Sequence, residues 1–178
     1  MRKVALCIAL FSCTAHAMLT AHAATPSNAE VKVSWQQPEK YTDIRPANGT
    51  KAAYQKRVIS AFDKIWADVA TKLPAGYRLE VTVKDLDLAG DVNPMFRIDH
   101  NDIRVIKDIY FPRMTIDYVV FDANKQPVMT GTDERIKDMG FMMSTPSGFN
   151  QREFIYEAEM LKKWFKRTVT PKLASANQ

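Results

Sequence analysis

The sequence predicts an α+β domain: a mainly antiparallel five-stranded sheet with two amphipathic helices on one face, in the order β-α-β-β-β-β-α. Three observations carry this expectation. Apolar residues alternate at Val31, Val33 and Trp35 and again at Leu79, Val81 and Val83, the period of a half-buried strand. Between these runs Val58, Ile59, Phe62, Ile65, Trp66, Val69 and Leu73 recur at helical spacing. A second helical stripe closes the chain after a succession of strands, an order that segregates helices from sheet.

Taken in order, Glu30 to Trp35 is the first strand, and Pro38 ends it. Thr50 follows the connector Arg45-Pro46-Ala47-Asn48-Gly49 as the expected N-cap of the first helix, which Pro74-Ala75-Gly76 stops. In the second strand the apolar parity moves to Leu86 and Leu88 after Lys84-Asp85. A strand changes face only through an extra residue, so a bulge is expected near Asp85. Ile103 to Tyr110 reads as the third strand, Met114 to Phe121 as the fourth, and Val128 to about Asp133 as the fifth. Pro112 divides the third from the fourth, and the polar turn 122–126 joins the last two. Met139 to Asn150, containing Ser144-Thr145-Pro146-Ser147-Gly148, is a loop. Gln151 to about Thr168 is the second helix, with Phe154, Ala158, Leu161 and Phe165 on one side.

The first 23 residues have the pattern of an export signal: basic Arg2-Lys3, apolar Val4 to Phe11, and the small-residue cleavage site Ala21-His22-Ala23, with an earlier alternative at Ala15-His16-Ala17. The expected organisation is therefore a signal at 1–23, a flexible start at 24–29, one domain over 30–170 and a frayed tail at 171–178. The expected location is the periplasm. Leu10-Phe11-Ser12-Cys13 is a loose lipobox, so lipidation at Cys13 is the less favoured alternative.

Cleavage removes both cysteines, Cys7 and Cys13, and two of the three histidines, His16 and His22, leaving His100. A disulfide scaffold, a cysteine nucleophile and a Cys/His zinc site are thereby excluded. Loss of Arg2 and Lys3 takes Lys+Arg from 25 to 23 against 20 Asp+Glu, a net charge of +3. That is too mild for a nucleic-acid partner. No apolar run after the signal is long enough for a membrane span, and no cofactor motif is present.

The densest chemistry is Asp85-Leu86-Asp87-Leu88-Ala89-Gly90-Asp91. Asp85, Asp87 and Gly90 match the first, third and sixth places of a calcium loop, but Ala89 and Phe96 occupy the fifth and twelfth. Asp85, Asp87 and Asp91 are thus weak metal candidates, and no metal is expected. His100, between Asp99 and Asp102, is read as a solvated loop histidine rather than a general base. Met139, Met142 and Met143 are read as packing rather than a copper site. Lys162, Lys163, Lys166, Arg167 and Lys172 complement the end of the last helix, with Glu159 and Lys163 as an i,i+4 pair.

Several strings resemble one family as a set: Trp35 to Pro46 (WQQPEKYTDIRP), Val83 to Gly90 (VKDLDLAG), Ile103 to Asp108 with Pro112-Arg113-Met114, Lys137-Asp138-Met139, and Tyr156-Glu157 with Met160 to Phe165 (MLKKWF). The chain resembles the domain of unknown function 3016 family, exported proteobacterial proteins, from about Val31 to Phe165. The family has no assigned reaction, ligand or partner to carry over. The resemblance directs attention to polar residues of the pattern that packing does not require, as ligand-binding candidates: Tyr41, Asp43, Arg45, Asp85, Asp87, Asp108, Arg113 and Asp138.

Arg113 is expected to pair with one of the aspartates, as a structural clamp or as the floor of a ligand site, and these residues are expected to meet at one edge of the sheet. The function expected is a non-catalytic binding or interaction domain that takes an envelope component: protein, glycan or lipid head group. The alternatives are a carboxylate-based hydrolase of envelope glycans and a divalent-metal-binding protein using Asp85 to Asp91.

Overall fold

The computed structural model describes residues 29–98, 101–143 and 153–176. Among these residues the architecture is α+β with six strands in two sheets, rather than the single five-stranded sheet expected. β1 (Glu30–Trp35), β2 (Arg78–Asp87), β5 (Arg113–Phe121) and β6 (Pro127–Lys137) form a four-stranded sheet in the order β1-β2-β5-β6, while β3 (Asp91–Ile98) and β4 (Asn101–Val105) pair separately. β1 runs parallel to β2 because α1 (Lys51–Ala70) is the crossover between them. The other pairs are antiparallel.

Helix α1 begins where the sequence places it: the Thr50 side chain accepts from the Ala53 N–H at 3.3 Å. Its inward stripe of Tyr54, Val58, Phe62, Trp66 and Val69 is buried. The opposite layer is the alternate set of β2 and β5, with Leu79, Val81 and Val83 across from Val120, Tyr118 and Ile116. Alternation leaves the other sheet face polar, as an antiparallel sheet covered on one side requires. The expected bulge lies between Val83 and Asp85.

Three strand assignments depart from expectation. β3 was hidden by Pro94, which cannot donate to a ladder; its register shifts between Val92 and Arg97, around that residue. The predicted strand from Ile103 to Tyr110 stops at Val105, and Lys107 to Tyr110 turns with the Tyr110 N–H donating to the Lys107 carbonyl at 3.0 Å. β6 continues past Asp133 to Lys137, because Asp133 takes a left-handed φ of 52° in a bulge and donates its N–H to Asp117 Oδ1 at 2.8 Å.

The last helix also differs. α2 (Ile155–Trp164) passes through a π-helical turn (Phe165–Val169) into α3 (Thr170–Ala176). The wide turn sits directly before Pro171, and the Thr170 N–H reaches back to the Phe165 carbonyl. That spacing relieves the clash a proline ring makes inside a helix. Leu173 is buried at the end of this helix, in the segment where a frayed tail was expected. The expected Glu159 and Lys163 pair is replaced: Lys162 meets Glu159 at 3.1 Å, and Lys163 meets Asp138 at 2.6 Å.

Among the described residues no helix is long and apolar enough to cross a membrane. The export signal with Cys13, the histidine His100, and the Ser144 to Gly148 loop lie outside the described residues.

Candidate functional site

Past the bulge in β2 the chain from Tyr41 to Arg45 runs alongside that strand. The Asp43 N–H donates to the Leu86 carbonyl and the Leu88 N–H to the Asp43 carbonyl, both at 3.2 Å. This places the carboxylates of Asp43 and Asp87 in neighbouring strands. Such an arrangement of like charges is tolerable only if each meets a cation. Arg104, from β4, donates through Nη1 to Asp43 Oδ2 at 2.8 Å and through Nη2 to the Arg45 carbonyl at 2.9 Å. Arg45 in turn bridges Asp43 Oδ1 and Asp91, at 3.3 and 2.8 Å. Arg113, directly across the ladder from Asp87, donates to Asp87 Oδ2 through both Nε and Nη2.

Gly90 makes room for this cluster. Its φ is +81°, and a Cβ there would come within 2.7 Å of the Val105 carbonyl oxygen. The turn from β2 into β3 can therefore press on β4, and the Gly90 carbonyl accepts from Arg104 Nη1 at 3.1 Å. Burial works against the charge on Arg104, but the hydrogen bond and charge of Asp43 prevail and hold its pKa above the ordinary value. Burial raises the Asp87 carboxyl despite the opposing pull of Arg113.

Of the eight residues singled out from the sequence, Asp43, Arg45, Asp87 and Arg113 come together, and Asp91 joins them. Asp85 lies beside them, both its oxygens taken by Thr42: the N–H at 2.8 Å and the hydroxyl at 2.7 Å. Tyr41 turns into the core and donates to the Val83 carbonyl at 2.8 Å, burial raising its pKa. Asp108 and Asp138 lie apart from the cluster. The first is exposed and accepts from the Ile109 N–H; the second pairs with Lys163. Asp85, Asp87 and Asp91 are each engaged by a different partner. Among the described residues no three His, Cys, Asp or Glu side chains are grouped to hold a metal ion.

Two residues that sequence reasoning passed over matter more than Asp108 or Asp138. Arg104 is the hub of the cluster. Glu157, in the first turn of α2, is 2% exposed and accepts the Ala89 N–H at 2.7 Å; burial raises its carboxyl well above the usual range. Both stand in the strings that carried the family resemblance, which was the one signal available for them.

Glu157 lines a cavity of about 440 Å³ with Tyr54, Arg104, Ile106 and Phe154. A neighbouring groove of about 680 Å³ runs between α1 and α2, over Ala61, Ile65, Ile155 and Ala158, with Lys64 and Lys162 on its rim. Phe154 and Ile155 belong to both walls. Phe154 is held at a left-handed φ of 61°, a strain sustained by packing on Tyr54 and Phe62.

No curated protein matches the chain. One solved structure is similar to it, a candidate lipoprotein from Caulobacter crescentus CB15, at 16% identity and a TM-score of 0.29, over 84% of this chain and 88% of that one. The model of the protein family of unknown function DUF3016 matches residues 29–167, which includes the whole four-stranded sheet, the Arg104 cluster and Glu157, and the chain belongs to that family.

Proposed function

We propose that this chain is a non-catalytic binding domain of the cell envelope, exported by segment 1–23 to the periplasm, that takes an amphiphile into the groove between α1 and α2. The observation that carries the reading is the shared Phe154 wall. A trough that offers Ala61, Ile65, Ile155 and Ala158 among charged side chains adjoins a partly open cavity whose polar groups include Tyr54, Arg57, Arg104, Glu153 and Glu157, matching a ligand with a chain at one end and a polar head at the other. The carboxylates of the Arg104 cluster support binding over catalysis, since guanidinium groups already occupy them.

Dodecanoate, titrated into the purified protein below its micelle concentration, tests this directly. It is expected to raise the unfolding midpoint by mass action, and Ala158→Trp, which fills the trough, is expected to abolish the rise while leaving the far-ultraviolet dichroism intact. A midpoint indifferent to dodecanoate removes the reading. A hydrolase is the second reading, favoured by Glu157 and Glu153 lining one cavity, the former with a raised pKa. Glu157→Gln separates the two, because a hydrolase loses turnover of peptidoglycan fragments whereas a binding domain has none to lose.

A further inference from the structure

The face of the four-stranded sheet turned away from the helices carries a feature unrelated to the groove. At one end of β2, β5 and β6, alternation brings Asp85 and Asp87, then Arg113 and Thr115, then Arg135 and Lys137 to this face in three adjacent rows. Register sets Arg113 directly opposite Lys137, and Thr115 opposite Arg135. Like charges directly opposite one another in an antiparallel pair repel.

The carboxylates nearest these cations already have partners, and none of those partners is Arg135 or Lys137. Asp85 gives both oxygens to Thr42, Asp87 receives Arg113 on a single oxygen, and Asp138 pairs with Lys163. Among the described residues the side chains of Arg135 and Lys137 make no ion pair or hydrogen bond, and Arg113 Nη1 makes no hydrogen bond. A concavity of about 370 Å³ opens over Arg113, Thr115, Arg135 and Lys137; Asp85 and Asp87 also line it, so that three cations face two carboxylates that already have partners. Phe111 forms one wall, with the Arg113 guanidinium 5.1 Å from its ring centre.

We propose that this face binds a phosphate-type oxyanion between Arg113, Arg135 and Lys137. Guanidinium forks match the oxygens of phosphate two at a time, the ammonium adds a point charge, and the Thr115 hydroxyl is a further donor within the same concavity. A bound dianion converts the repulsion between Arg113 and Lys137 into attraction toward a common centre. Free phosphate and the head group of an anionic phospholipid present the same chemistry.

The test has two arms on the purified protein. Inorganic phosphate is titrated at constant ionic strength set with sodium chloride, and vesicles of phosphatidylglycerol are compared with vesicles of phosphatidylcholine. Saturable binding in either arm, weakened at least tenfold in the double variant R135Q/K137Q, is the expected result, and the arm that responds identifies the source. In chloride alone the double variant is expected to unfold at or above the midpoint of the wild-type protein, because neither side chain it replaces makes an ion pair or a hydrogen bond among the described residues. Three results overturn the proposal: no saturable response beyond the chloride and phosphatidylcholine controls, binding that survives the double variant, or a double variant with a lowered midpoint in chloride.

Discussion

The four-stranded sheet buries Leu79, Val81, Val83, Ile116, Tyr118 and Val120 against α1 and α2, whereas the β3–β4 arm leaves Met95 88% and Ile98 61% exposed and is fastened by Arg104. The sheet is held by the removal of apolar area from water, which is non-directional and spread over many side chains. The arm is held by a few directed hydrogen bonds to charged groups, each with one partner. Redundancy therefore belongs to the first region and fragility to the second.

The largest expected effect tests the sheet. Trp66 is fully buried, its ring meeting that of Trp164 edge-on at 5.9 Å, and Trp66→Ala should cost about 3–5 kcal/mol in denaturant unfolding. Because the Trp66 indole N–H has no hydrogen-bond partner among the described residues, Trp66→Phe should cost far less. Equal losses would show that the N–H matters after all.

Next comes the arm. Asp43→Ala leaves the Arg104 guanidinium without its carboxylate and should cost about 1.5–3 kcal/mol, with amide exchange accelerated in β3 and β4 but not in β2 or β5. Uniform acceleration across all four strands would erase the distinction between the regions. Thr50→Ala removes only a helix cap and should cost about 1 kcal/mol, spread over the sheet region through α1.

The subtlest effect concerns Glu157, which joins the two regions by holding the Ala89 N–H. Its carboxyl is raised in the folded state, so the fold binds that proton more tightly than the unfolded chain does. Its stabilising share is complete below the ordinary carboxylate range and is lost as pH climbs from there through the raised value. Glu157→Gln keeps an acceptor for Ala89 and should flatten that part of the stability profile. An unchanged slope would mean that the carboxyl is not the titrating joint.

What could be read from the sequence divides along the same line. Alternation and helical spacing are local, so β1, α1, the β2 bulge and β5 are legible in runs of a few residues. Arg104 and Asp43 are 61 residues apart, Glu157 and Ala89 are 68 apart, and a charged contact leaves no periodic trace. Pro94 concealed β3 because local rules demote a strand that contains it, while tertiary pairing tolerates it where the ladder is already interrupted. The candidate cluster was half legible: Asp43, Arg45, Asp87 and Arg113 meet, but the hub that gathers Asp43 and the Arg45 carbonyl was not among them.

The π-helical turn before Pro171 sets the phase of everything after it. Each residue advances an α-helix by about 100°, so residues four apart drift by about 40° and Leu173 would stand about 80° from Phe165; the wider turn takes up part of that drift, and Phe165, Val169 and Leu173 are all buried. The C-terminal segment thus passes a proline by changing its width instead of breaking, and keeps its three anchors in line while it does so.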